Sequence, residues 1–396
     1  MHICHVTAHL PPDQAANALL PFHLGTWTRA AGDSTQYIAH PPRATAERTA
    51  ESLESQLAAH AAAMPGPVTW VTARARSGGI ARALGVSTLA DARRMRELIA
   101  PVVASADIVH VHSNGLLPEL AAWMAGRQGK PVVMTLYGTE IWHYKRKWPR
   151  PDLFTRAYRS ASRVTFYSRG LLEFAEGLGL SREGLSVIYP PVAAQFTRPD
   201  QAQRQALRRS LGLAERFVLL NVKRLHPLAG QRHLIAAMPA VLRDAPDTRL
   251  VICGTGQLRS ELEEQARWLG VADHITFAGL VDNRSVADYY AAADLFVLPS
   301  LLEACPTVAV EALASGTPVL SADHPGGVEL ARLFGADVAV VPREDAGATA
   351  RAITTFLRAP SRATSSAAAV VAREFSPAVV AGRFAAIYRD VLAEKR

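Results

Sequence analysis

The sequence predicts an α/β protein made of two doubly wound, Rossmann-like domains. Three observations carry this. At 396 residues the chain is too long for one ordinary core, which argues for two domains. Apolar runs of strand length alternate with segments of helical spacing, and the whole pattern occurs twice. Between the two halves, residues 189–199 carry Pro190, Pro191 and Pro199, which interrupt regular structure and suggest a hinge.

In the first half the strand-length runs are Ile3–Thr7, Val68–Thr72, Ile108–His112, Val132–Leu136, Val164–Tyr167 and Val187–Tyr189, with helical spacing at Asp91–Val103 and Leu116–Arg127. In the second half they are Phe217–Asn221, Leu250–Cys253, Ile275–Phe277, Leu295–Leu298, Val319–Leu320 and Val338–Val341. Helices are expected there at Gln231–Arg243, Gln257–Leu269, Val286–Ala292 and Thr307–Ala314. Short strands alternating with helices imply parallel sheets covered on both faces. The expected organisation is a first domain over 1–192, a hinge over 193–200, a second domain over 201–376 and a terminal helix within 377–396. That helix, Pro377–Ala393, has an apolar stripe of Val380, Phe384, Ile387, Tyr388 and Val391 that needs a partner.

Composition narrows the function. Hydrophobic residues make up 49% and charged residues 20%, which excludes wholesale disorder. No apolar run approaches the roughly 18–20 residues of a membrane span, and Met1–Thr7 lacks the basic and apolar regions of a signal peptide. Cys4, Cys253 and Cys305 lie far apart, and no Cys/His group has zinc spacing. The expectation is a reduced, cytoplasmic protein without a structural metal. The net charge of +8 favours an anionic partner: a phosphorylated ligand, a membrane surface or a nucleic acid. Doubly wound domains bind ligands at the carboxyl ends of their strands, so facing domains would share a central cleft.

The densest motif runs from Pro299 to Val319. Glu303 follows a strand and Glu311 sits inside the next helix. A helix opening at Thr307 offers free backbone N–H groups to an anion, and two carboxylates can accept sugar and ribose hydroxyls. This Glu-x7-Glu pair, ahead of Gly316-Thr317-Pro318-Val319, resembles the signature of the retaining glycosyltransferases of family 4. The resemblance implies the GT-B fold, a nucleoside diphosphate sugar (UDP- or GDP-linked) on the second domain, an acceptor on the first, and a terminal helix that crosses back to the first domain. It is strongest over residues 217–330.

Other segments agree in order and spacing. Gly254-Thr255-Gly256 follows a strand, where bare backbone can approach a ligand, but no third glycine completes a dinucleotide fingerprint. The resemblance places this turn beside the nucleotide sugar, together with Cys305, Pro306, Thr307 and Val308. Gly279 and Val281 match the turn that meets the base, and Gly326-Gly327 a turn before a helix. Arg224 matches the arginine that grips the diphosphate, and its forked donors suit phosphate oxygens. Lys223 stands where glycine is usual, and Ala229 where a second phosphate-binding lysine is usual. Strand alternation predicts that Lys223 faces away from the side Arg224 faces.

The first half departs further. After the first strand, Ala16 and Asn17 fall where donor-binding glycines are common. Tyr137-Gly138-Thr139-Glu140 falls where His-Gly-x-Asp is common, so a general-base histidine does not carry over. His110 and His112 share one face of their strand. His112, nearer its carboxyl end, joins Asn114, Tyr137 and Glu140 as acceptor contacts, and the catalytic candidates are Glu303, Arg224, His112 and Tyr137. Residues Trp142–Arg150 mix cations with aromatics, which fits a solvated loop, an acceptor contact or a membrane surface. No nucleic-acid motif accompanies them, and a nucleic-acid partner is not expected.

The resulting expectation is a retaining, metal-independent transferase, since no Asp-x-Asp motif is present. It would act on a small-molecule acceptor, with the unusual first half pointing to secondary metabolism. Alternatives are a GT-B hydrolase or epimerase of nucleotide sugars and a non-catalytic sugar-nucleotide-binding protein. Oligomeric state is not legible.

Overall fold

The computed structural model describes residues 1–13, 16–41, 53–71, 86–145, 152–213, 216–282 and 284–395. The chain forms two compact units: Met1–Ile188 with Ala381–Arg396, and Tyr189–Val380. The first division falls before the prolines, not after residue 192, because Val192 N–H donates to the Phe375 carbonyl (2.8 Å) and ties that stretch to the second unit. The second division falls inside the helix Pro377–Ala393, four residues later than expected at 376/377.

The first unit holds β1 (His2–Thr7), β2 (Ser34–Ala39), β3 (Val68–Trp70), β4 (Ile108–His112), β5 (Val132–Leu136), β6 (Arg163–Phe166) and β7 (Leu185–Val187). They form one parallel sheet in the order β3-β2-β1-β4-β5-β6-β7. Sequence periodicity misses β2, whose Ser34-Thr35-Gln36 opening is polar. Its Tyr37, Ile38 and Ala39 are fully buried, so packing makes the strand. Pairing brings His5 beside His110 and His112 beside Thr135.

The helix Pro377–Ala393 buries Val380, Phe384, Tyr388 and Val391, while Ile387 is only half-buried. The rings of Phe384 and Tyr388 lie 5.5 and 5.7 Å from that of His110, within the first unit. Burying each such side chain contributes about 1.5–3 kcal/mol.

The second unit holds β8 (Phe217–Val222), β9 (Thr248–Cys253), β10 (Ile275–Gly279), β11 (Leu295–Leu298), β12 (Val319–Ala322) and β13 (Val338–Val341), parallel throughout in the order β10-β9-β8-β11-β12-β13. Leu219, Leu250 and Leu295 from its strands pack in one core with Leu234, Ile235 and Met238 of the helix Gln231–Asp244. β8 runs one residue past the expected Asn221, which changes where Lys223 points.

Candidate functional site

In both sheets the order reverses beside the central strand, the position where doubly wound folds hold ligands at strand carboxyl ends. In the second unit the turns there are bound to one another. Lys223 N–H donates to the Cys253 carbonyl (3.0 Å), Leu225 N–H to that of Thr255 (2.9 Å) and Gly254 N–H to that of Gly279 (2.7 Å). A Cβ on Gly254 would lie 2.1 Å from the Lys223 carbonyl oxygen, and one on Gly256 2.2 Å from that of Leu225. Both glycines have left-handed φ, 145° and 157°. The chain's own close-packed turns therefore require them. The glycines are thus accounted for by packing within the chain itself.

Lys223 departs from the strand-alternation expectation. With β8 continuing to Val222, Lys223 has entered the turn and strand alternation no longer sets its direction. Its Nζ lies 2.6 Å from Glu303 Oε1, with the two side chains 27% and 19% exposed. Glu303 is anchored from behind, because Gly326 N–H donates to its carbonyl (2.8 Å). Arg224 is exposed, and its guanidinium makes no ion pair among the described residues. Gln231 Nε2 donates to the Arg224 carbonyl (3.3 Å) and braces that turn. Ala229 is buried in the short turn Pro227–Ala229.

Glu311 lies in the helix Thr307–Ala314 and accepts the Tyr290 phenol proton at Oε2 (2.9 Å). Burial pushes its carboxyl up to about 7, while the Tyr290 hydrogen bond and the Lys223 charge pull the other way. No side chain caps the start of this helix, where Thr307 and Val308 sit half-buried after Pro306. The Cys305 thiol is pushed well up, chiefly by burial and then by Glu329 and Glu303, so it is no thiolate nucleophile. His324 accepts from Gly327 N–H at Nδ1 (2.9 Å), which leaves Nε2–H to donate to Ser321 Oγ (3.3 Å). Burial lowers its pKa to about 4 and keeps the ring neutral. Gly279 and Val281 end β10 and begin the next turn, both half-buried.

The first unit has a different constellation. His5, His110 and His112 are fully buried, with ring nitrogens within 4.8 Å of one another. That spacing suits a metal, but hydrogen bonds already engage most of these nitrogens. His110 meets Tyr388 Oη at Nδ1 and Thr135 Oγ1 at Nε2, both at 2.7 Å. His112 meets Tyr137 Oη at Nδ1 (2.8 Å) and His5 Nδ1 at Nε2 (3.1 Å). Only His5 Nε2 has no partner among the described residues. A bare lone pair is less costly to bury than a bare N–H, which places the His5 proton on Nδ1. His5 then donates to His112, and His112 donates to Tyr137. The Tyr137 phenol is itself hydrogen-bonded to that of Tyr167, which extends the chain of hydrogen bonds by one more ring.

All three rings are held neutral by burial. That of His5 is lowered to about 3, and those of His110 and His112 fall well below the usual histidine value, with neighbouring histidines adding to the effect. Burial, reinforced by Tyr167 and Glu140, raises the Tyr137 phenol and keeps it protonated. His112 was expected to touch an acceptor. Fully buried, it instead holds the half-buried Tyr137. Glu140, expected in the same role, is turned inward at 3% exposure and accepts from Gly138 N–H (2.8 Å) and Tyr137 N–H (3.3 Å). Asn114 is exposed in the loop after β4. Ala16 and Asn17 open the helix Ala16–Ala30, where Thr7 Oγ1 donates to the Asn17 carbonyl (2.5 Å). Of the basic-aromatic run, residues 146–150 lie outside the described residues.

Sequence reading missed His5, Tyr290 and Tyr388. The signal for His5 was a polar residue inside a buried strand, facing the same way as Thr7. Tyr290 and Tyr388 read as ordinary apolar positions of amphipathic helices.

Residues 203–370 match the sequence family described as Glycosyl transferases group 1, and residues 28–196 match Glycosyltransferase Family 4. A GDP-mannose-dependent alpha-(1-6)-phosphatidylinositol monomannoside mannosyltransferase of Mycolicibacterium smegmatis is 33% identical over 69% of this chain and 72% of its own. The chain belongs to glycosyltransferase family 4. This family 4 glycosyltransferase is also 34% identical to a D-inositol 3-phosphate glycosyltransferase of Thermobispora bispora, over 71% of this chain and 70% of the relative. Its fold matches that of Anabaena HepE in complex with UDP, with a TM-score of 0.74 at 20% identity over 98% of this chain and 100% of the other. Sucrose-phosphate synthase of Thermosynechococcus elongatus gives the same score and identity over 100% of both chains. The two Rossmann-like units are thus those of a GT-B glycosyltransferase. Lys223, Arg224, Glu303 and Glu311 lie in one family match and His112 and Tyr137 in the other, while His5 and Tyr388 lie outside both. Among the described residues no helix is long and apolar enough to cross a membrane.

Proposed function

We propose that this glycosyltransferase moves a sugar from a UDP or GDP sugar to a hydroxyl of a small-molecule acceptor, with retention and without a metal, in the cytoplasm. The observation that carries the donor side is the Lys223–Glu303 pair (2.6 Å), whose lysine charge also acts on Glu311. Glu311 accepts the ribose hydroxyls and Glu303 those of the sugar. Arg224, Lys223 and the uncapped N–H groups at Thr307 and Val308 hold the diphosphate and stabilise charge as it leaves. Lys223 supplies the cation missing at Ala229. The leaving phosphate takes the acceptor proton on the face it departs from, which accounts for retention without a protein nucleophile.

The acceptor side rests on Tyr137, a neutral, half-buried phenol at the end of the histidine cluster. Asn114 lies in the loop beyond the neighbouring strand. The inositol-containing acceptors named for two of the relatives make a polyol the first class to try. The wider assignment to secondary metabolism has its support in the departures of the first half.

Calorimetry with UDP and GDP, then sugar release with and without inositol phosphate and phosphatidylinositol mannoside, tests this reading. Transfer that survives EDTA is the expected result. Release without acceptor points to a hydrolase or epimerase, and binding without release to a non-catalytic protein.

A further inference from the structure

Tyr290 was not singled out by sequence, and it carries no catalytic group to the surface. It is fully buried in the helix Ser285–Ala292, with its ring against those of Phe196 (5.6 Å) and Phe296 (5.5 Å). Its backbone is also fixed, because Thr317 Oγ1 donates to its carbonyl (2.6 Å). Only the phenol tip meets a polar group, Glu311 Oε2 at 2.9 Å. A phenol that cannot move, aimed at one oxygen of a carboxylate, leaves the other oxygen as the one free to accept.

We propose that Tyr290 is a positioning residue of the donor site: it holds Glu311 in one rotamer and in its ionised form, with the second oxygen presented to the ribose. The inference rests on the ribose role of Glu311 given above. The groups facing this carboxyl are few. Tyr290 comes from its own helix, Lys223 from the turn after β8, and Cys253 of β9 lies beside Tyr290 with its thiol pushed up to about 12 by burial. Lys223 and Tyr290 favour the anion, and burial opposes it. Glu311 therefore titrates near neutrality, and nucleotide affinity falls as pH drops through about 7. Removing the phenol donor removes one of the two supports of the anion, so the midpoint must rise.

The test is UDP and GDP binding from pH 5.5 to 8.5 for wild type, Glu311→Ala and Tyr290→Phe, with melting temperature as a check on folding. In Tyr290→Phe the acid limb is expected to move up by about one pH unit or more, with affinity at the alkaline end within about threefold of wild type. A merely structural tyrosine would lower affinity equally at every pH, and that result overturns the proposal. Should Tyr290→Phe fail to fold, 3-fluorotyrosine at position 290 keeps the ring and makes a stronger donor. The limb must then move down, and an unmoved limb counts against the proposal. If Glu311→Ala binds as wild type, the ribose reading itself fails. If Glu311→Ala loses binding but Tyr290→Phe titrates like wild type, only the positioning role fails.

Discussion

The two units share a sheet order around their central strands yet fill the carboxyl ends of those strands in opposite ways. The first unit gathers three histidines, two threonines and two tyrosines in one neutral hydrogen-bonded cluster, buried except for the half-buried Tyr137. The second gathers Lys223, Glu303 and Glu311 as charged groups with a path to solvent. A common backbone plan thus sets where a site lies and leaves its chemistry to a handful of side chains. The neutral end suits a hydroxyl acceptor, and the charged end suits a diphosphate.

The comparison can be broken most severely at the terminal helix. Truncation after residue 376 removes Phe384 and Tyr388 from the first unit, exposes the His110 ring and leaves its Nδ1 unpaired. Insoluble or loosened protein is the expected outcome. A soluble, fully active truncation would show that the first unit does not need this cover.

The charged end is tested next. Arg224→Ala is expected to lower turnover by about 100-fold or more, the cost of losing a donor to developing charge. Lys223→Ala should cost between about 10- and 100-fold, because it removes a phosphate cation and leaves Glu303 unpaired. A loss below tenfold would place Lys223 outside the chemistry.

Acid should separate the two ends. In the first unit the folded histidines have pKa values below the ordinary 6.5, so the unfolded chain binds protons that the folded one refuses. Stability is complete above about 6.5 and is lost as pH falls, by up to about 4 kcal/mol per pH unit for three protons. Glu311 has the opposite sign. Its folded value near 7 lies above the ordinary 4.5, so protonation between those values favours the folded second unit, with His324 partly offsetting it. Urea midpoints from pH 8 to 5, followed by reporters in each unit, should show the first unit losing stability sooner. Parallel loss in both units would contradict this assignment.

The smallest effect is expected at His5. His5→Phe removes the donor that sets the His112 proton, freeing His112 to carry it on Nε2 and turn the Tyr137 hydrogen bond around. Nitrogen NMR of His112 should report the changed tautomer, with kcat lowered by less than about tenfold and KM for the donor unmoved. An unchanged tautomer would remove His5 from the relay.

The sequence by itself determined the two-fold alternation of strands and helices, the parallel sheets and the family, because apolar period, turn residues and the Glu303–Glu311 spacing are local quantities. It also marked Glu303, Glu311 and Arg224 as the residues to watch. Only the tertiary structure decided which way Lys223 points, since one further residue of strand moved it into a turn where alternation no longer holds. Tertiary packing likewise turned Glu140 inward, brought Tyr290 to Glu311 and set Tyr388 on His110 across 278 positions of chain. A hydrogen bond to a distant residue leaves no period in the sequence. A buried tyrosine on an amphipathic helix reads there as one more apolar position, and only the fold shows what its hydroxyl meets.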